Sequence, residues 1–405
     1  MKAIDFTNRR VLSRAVVLSV LAVGAAACGG GSTPSSAGSA GSAAGSAAPS
    51  AAAGSSGGAS DVVASCNKMI TAASAPLTFA APGPAFDAAK LRGKKVMFLS
   101  LAQAVPAIAQ AAAATQQAGK LVGINVDVFD TKGNVSLMQQ GIQQAINTHE
   151  SAIILLGIPL DVTANALQKA HAAGITLVSE LNNQPTAGAP GQGAGPNVFG
   201  STGPDRTVSG ELLACKAVVD TQGKANVVIF GDDELTTAAP PEVAGMEAIL
   251  KQCTGCTYKK NSTPTASWQT DLPSKAASTV QSDPRVNYLL PLYDGMAIFM
   301  VSGVKSGGAG SRVKIASFNA APAGLSMIKS GGPLVADPGQ PNTWMAWQGL
   351  DQAMRGMLGL APGRPDVPIR FFDKSNLQAL DVNNEAALFG NGYDAGFRQL
   401  WGTTK

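Results

Sequence analysis

The chain has 405 residues, of which 45% are hydrophobic and only 14% charged, enough apolar material for two lobes with sizeable cores. Its net charge is +4, but Lys2, Arg9, Arg10 and Arg14 against Asp5 place +3 of that within residues 1–27. The near-neutral remainder excludes a basic nucleic-acid surface, and two His residues argue against a His-rich metal site.

Residues 15–27 form an apolar run behind the basic stretch, too short to span a bilayer but suited to a signal-peptide core. Arg9-Arg10-Val11-Leu12 partly resembles a twin-arginine export signal, which leaves the export route open. Leu21 to Cys28 resembles a bacterial lipobox, with Ala25 standing where a larger aliphatic residue is usual; the resemblance implies cleavage before Cys28 and its lipidation. Residues 29–60 up to the globular body are Gly, Ser, Ala, Thr and Pro, which have nothing to bury and read as a flexible tether. The expected organisation is a signal peptide at 1–27, lipidated Cys28 with its tether to 60, and an N-terminal extension at 61–93. No second apolar run is long enough to span a bilayer, so the expected placement is extracytoplasmic and lipid-anchored.

From Lys94 onward short apolar runs alternate with amphipathic stretches. The runs at 96–101, 124–129, 152–157 and 175–180 begin 28, 28 and 23 residues apart, the repeat of a strand, a helix and two turns. Met138, Ile142 and Ile146 mark one face of a helix over 134–147, and Asp161 is placed to cap a helix over 162–173. After a Pro, Gly and Asn-rich loop at 182–197, a second series follows at 226–231, 257–262, 286–291 and 313–318. Helices are expected at 206–221, 240–252, 273–281 and 295–305. PLVADP (333–338), a helix over 342–358 and a run VPIRFF (367–372) complete it. The fold class is α/β, with two Rossmann-like parallel-sheet lobes. The first lobe takes 94–183 and 341–365, the second 184–340 and 366–405.

Ligands of open parallel sheets bind beyond the carboxyl ends of the strands. Those ends carry Gln103, Asp161, Asn182-Asn183, Asp232-Asp233, Tyr293-Asp294, Asn319 and Asp337 to Gln340. With Asp161 after the third strand, Tyr293-Asp294-Gly-Met before a helix, and SFNAAP (317–322) followed by ADPGQP (336–341), the chain resembles the type I periplasmic solute-binding proteins, in particular the sugar-binding branch that serves ATP-binding-cassette importers. The resemblance implies two lobes joined by three hinge crossings that close on a small solute. It implies permease and ATPase partners, and ligand-binding roles for Gln103, Asp161, Asn183, Trp268, Tyr293, Asp294, Asn319 and Gln340, with Trp268 stacking on a ring. A sugar or polyol is the first expectation, because carboxylates and carboxamides serve hydroxyls in fixed directions. An amine-bearing solute is the alternative, since residues 232–250 contain Glu242 and no Arg beside the carboxylates. A ligand-sensing lipoprotein for a receptor or kinase would share the same cleft. No Trp or Tyr occurs before residue 200, so any stacking comes mostly from the second lobe.

No nucleophile elbow, zinc-protease motif, phosphate loop or dinucleotide fingerprint is present, so an enzyme and a bound cofactor are not expected. His149 and His171 sit away from the strand ends. Four Cys besides Cys28 allow three full pairings. Cys253-Thr-Gly-Cys256 falls at a helix C-terminus, where nothing lowers a thiol pKa, and is expected to close a turn as a structural disulfide. Cys66 and Cys215 are then left to pair. Trp344 and Trp347, three apart on a helix, are expected in the core.

Overall fold

A computed structural model describes residues 57–182, 195–236 and 238–403. The expected signal peptide, Cys28, most of the tether and Asn183 lie outside these residues. Five parallel strands form the first sheet in the order β2-β1-β3-β4-β5. They are β1 (Lys95–Ser100), β2 (Asn125–Asp130), β3 (Ala152–Leu156), β4 (Thr176–Glu180) and β5 (Gly200–Thr202). The second sheet, also parallel, runs β10-β9-β8-β6-β7. It comprises β6 (Asn226–Gly231), β7 (Thr257–Ser262), β8 (Tyr288–Pro291), β9 (Lys314–Ala316) and β10 (Leu334–Ala336). The helices are α1 (Gly57–Ala73), α2 (Pro106–Val122), α3 (Val135–Asn147), α4 (Ala164–Ala172), α5 (Arg206–Asp220), α6 (Ala239–Gln252) and α7 (Trp268–Ser282). They continue as α8 (Asp294–Ser306), α9 (Pro322–Ser330), α10 (Asn342–Met357), α11 (Lys374–Leu377), α12 (Glu385–Phe389) and α13 (Tyr393–Leu400).

Local chemistry accounts for these elements. All five residues of β3 are buried, because this strand is flanked on both edges and covered on both faces. β7 lies at a sheet edge and exposes Lys259 and Lys260, which discourage pairing with another chain. Asn134 caps α3 by accepting from Leu137 N–H, and Asp205 caps α5 by accepting from Thr207 and Val208. Helices α5 and α6 approach through paired glycines: a Cβ at Gly210 would lie 1.9 Å from the Glu242 carbonyl oxygen, and one at Gly245 2.1 Å from that of Thr207. That contact sets Arg206 beside Glu242.

Five expectations change. The helix α1 begins within the stretch read as tether. Asp161 does not cap α4, whose N-cap is Thr163, with no side-chain cap hydrogen bond. β5 carries no apolar run and lies beyond residue 183, yet it pairs with β4, so the first sheet continues to Thr202. VPIRFF forms no strand; it crosses between the lobes with only isolated bridges, Gly203 to Asp366, Gly339 to Arg370 and Ala336 to Asp373. Its apolar character comes from Phe371 and Phe372, which are buried in the core. The tail beyond α11, expected on the second lobe, instead packs on α10 of the first: Glu385 accepts from the N–H groups of Thr343 and Trp344 at the α10 N-terminus.

Three crossings between the sheets follow β5, β10 and α10, and the bridges show them lying side by side. The chain also passes from the second lobe to the first between α1, which packs on α5, and β1, and again between α11 and α12. Both disulfides are present. Cys253–Cys256 closes the turn after α6, and Cys66–Cys215 fastens α1 to α5. The N-terminal extension then runs against the tail, with Leu77 N–H donating to Phe389 and Phe86 N–H to Leu400. Trp344 and Trp347 are buried there with Phe397 and Trp401, and the half-buried Phe79 packs on Trp344. Among the described residues no helix is long and apolar enough to cross a membrane.

Candidate ligand-binding cleft

The carboxyl ends of the two sheets face one another across a cavity of about 50 Å³. From the first lobe it is lined by Leu101 after β1, Val105 and Ile108 at the start of α2, Leu156 of β3 and Leu181 after β4. The second lobe contributes Arg206, Leu235, Trp268, Tyr293 and Asn319. Of the expected site residues, the structure brings Trp268, Tyr293 and Asn319 together at this cavity.

Trp268 opens α7. Its indole N–H donates to the Thr263 carbonyl at 3.0 Å, which fixes the ring 6.1 Å from that of Tyr293. The Tyr293 hydroxyl is buried and has no hydrogen-bond partner, and burial holds its pKa above the usual phenol value. Asn319 follows β9 with φ +121°, a region that L residues with side chains rarely adopt. A neighbouring crossing keeps it there: Asn319 N–H donates to Pro338, and a Cβ at Gly339 would lie 2.4 Å from the Asn319 carbonyl carbon. Its side chain donates to Asp294, while its Oδ1 is buried without a partner.

The other expected residues are placed differently. Asp294 does not line the cavity; its Oδ2 accepts from Ala321 N–H at 2.9 Å, holding the turn that carries Asn319. Asp337 lies against it beside Gly324 and accepts from Ser317 at 3.3 Å. Burial raises the Asp294 carboxyl to about 6, and burial together with the nearby Asp294 charge raises that of Asp337 well above its ordinary value. Asp161 is exposed and accepts from the Thr236 hydroxyl at 2.9 Å, a hydrogen bond from one lobe to the other. Gln103 has a buried Nε2 without a partner but is not among the lining residues. Gln340 is buried behind the site and donates to Asn342 at 2.7 Å. The acidic run after β6 is a turn: Asp232 accepts from Thr265 and from Glu234 N–H. Among the described residues no group of three or more His, Cys, Asp or Glu is placed to hold a metal ion.

Sequence reasoning missed Arg206. Its guanidinium donates to Glu242 at 3.1 Å and to the Leu181 carbonyl at 2.7 Å, and its centre lies 5.3 Å from the Tyr293 ring centroid. Burial pushes the Glu242 carboxyl up to about 8 despite this cation. The missing Arg that motivated an amine-bearing ligand is therefore supplied from α5. A signal was available: a cation in the first turn of a helix opposes the helix dipole and calls for a nearby carboxylate.

The sequence profile described as "periplasmic binding protein domain" matches residues 96–357. The chain belongs to this family. It is a family of solute-binding proteins, not of enzymes. No curated protein matches the chain. Among solved structures, a sugar transporter protein of the ATP-binding-cassette class from Yersinia enterocolitica is similar, with a TM-score of 0.66 and 19% identity over 81% of this chain and 98% of that one. The Caulobacter myo-inositol binding protein gives 0.62 and 21% over 71% and 96%. The 5-methylthioribose transporter binding protein of Thermotoga lettingae gives 0.65 and 16% over 76% and 99%. At these identities the likeness shows the fold: a type I periplasmic binding protein with two five-stranded parallel lobes.

Proposed function

We propose that the protein is an extracytoplasmic, lipid-anchored solute receptor that captures a sugar or polyol between its lobes and delivers it to an ATP-binding-cassette importer. The observation that carries this reading is the cavity at the facing strand ends, lined from the second lobe by Tyr293 and Asn319, whose hydroxyl and Oδ1 are buried without partners. A buried polar atom left unpaired costs roughly 1–3 kcal/mol, and a ligand hydroxyl donating to Asn319 and pairing with Tyr293 recovers it. Trp268 offers a ring face beside them. Family membership supports solute binding, and the names of the structural neighbours, which include binders of myo-inositol and allitol, support a polyhydroxylated ligand. The lipobox-like Cys28 and the uncharged tether support the anchor.

The test is a thermal-shift screen over sugars, cyclitols and sugar alcohols, since a ligand that binds only the folded chain raises its melting point. A rise of several degrees with one compound is expected, and Asn319→Ala should lower its affinity at least tenfold. A broad panel that leaves the melting point unmoved would count against the reading.

A further inference from the structure

The two walls of the cavity differ in kind. On the first lobe Leu101, Val105, Ile108, Leu156 and Leu181 present only hydrocarbon side chains. Among the described residues the polar side chains expected from that lobe are elsewhere: Gln103 is not among the lining residues, and Asp161 accepts from Thr236; Asn183 lies outside the described residues. On the second lobe Tyr293 and Asn319, each 6% exposed, hold the two unpartnered polar atoms. A ring with hydroxyls around its whole rim satisfies the second wall. It presses its remaining hydroxyls against hydrocarbon, where each unpaired one lowers affinity by roughly tenfold. A methylene in the same place raises affinity by roughly fourfold.

We propose that the ligand is two-faced: a small polar head whose hydroxyl or amino groups engage Tyr293 and Asn319, and a deoxy or alkyl portion that lies on the hydrocarbon wall of the first lobe. This deepens the solute-binding reading above and rests on it. Val105 marks the seam, since it also faces the second lobe across Gly295, whose Cβ position lies 3.0 Å from Val105 Cγ1.

Isothermal titration of the full chain with matched pairs tests the proposal. The pairs are D-galactose and its 6-deoxy form, myo-inositol and its mono-O-methyl ether, and D-glucose with its methyl, ethyl and butyl glucosides. In the pair that binds, the deoxy or alkyl member is expected to bind at least tenfold more tightly than the fully hydroxylated one, with affinity rising along the glucoside series if that series binds. A fully hydroxylated member that binds as well as or better than its partner overturns this inference and leaves the solute-binding reading standing. Failure of every member to bind overturns the sugar or polyol reading itself, and this inference with it. Val105→Thr keeps the side-chain shape and puts a hydroxyl at the N-cap of α2, a position that favours Thr. It should narrow the preference for the apolar member several-fold; an unchanged ratio with wild-type affinity overturns the placement of the apolar portion.

Discussion

The two lobes share an architecture and divide the work. Among the described residues the first lobe meets the cavity with aliphatic side chains from β3, from just after β1 and β4, and from the start of α2. The second meets it with an ion pair, an indole, a phenol and a carboxamide, most of them locked by hydrogen bonds behind the surface. Equal sheets thus carry unequal tasks: the strand framework sets where a loop is presented, and the residues on the loop decide whether it offers shape or directed polarity. The polar wall is also the costly one to build, because it needs Arg206 with Glu242 and Asp294 with Asp337 buried beneath it.

The sharpest way to break this contrast is to remove the cation from the polar wall. Arg206→Met should destabilise the protein by about 3–5 kcal/mol at pH 9, because it leaves the Glu242 carboxylate buried without compensation. The loss should shrink at pH 5, where Glu242 is protonated; denaturant unfolding at both values checks it.

A second experiment uses pH. Asp294, Asp337 and Glu242 all hold their protons to higher pH in the folded chain than in the unfolded one. The folded state therefore binds more protons, and the stability these groups contribute is fully present only below their ordinary values of about 4. It declines as pH rises, through about 6 for Asp294 and about 8 for Glu242. The melting point should accordingly be lower at pH 8.5 than at pH 5. Asp337→Asn keeps the shape, removes one of the two facing carboxyls and should stabilise the protein at pH 8 by on the order of 1–3 kcal/mol while flattening the profile. An unchanged pH profile in this variant would show that the pair is not the source.

The mildest test concerns the link between the lobes. Asp161→Ala removes the hydrogen bond to Thr236 and should speed ligand release a few-fold in stopped-flow measurements, with the melting point of the free protein nearly unchanged.

How much of this was legible in the sequence follows from where tertiary context takes over. The strands β1, β3 and β6 announce themselves because burial on both faces leaves mostly apolar residues, whereas edge strand β2 shows only as alternating Val and Phe among polar residues. β5 is Gly-Ser-Thr and has no such signature; it is a strand because β4 offers an open edge and α10 covers it. Phe371 and Phe372 gave the opposite illusion, an apolar run buried by packing at a crossing rather than by a sheet. Tyr293 and Asn319 were readable from their places after strands, since those ends converge in any open parallel sheet, whereas Trp268 was implied only by the family resemblance. Asp161 and Asp294 occupy equivalent places, but their carboxylates found nearer partners in Thr236 and in Ala321 N–H, a choice made by side-chain reach and not by position.

The bond between Cys66 and Cys215, 149 positions apart, has a topological consequence. It closes the chain into a covalent ring that contains every strand of the first sheet, while the second sheet lies on the open length beyond it. A single protease cut anywhere from 67 to 214 opens that ring without dividing the molecule. The sheet of the first lobe can thus be nicked and still keep both fragments at hand to reclose, whereas a cut beyond Cys215 and outside the Cys253–Cys256 turn leaves no covalent bond to rejoin them.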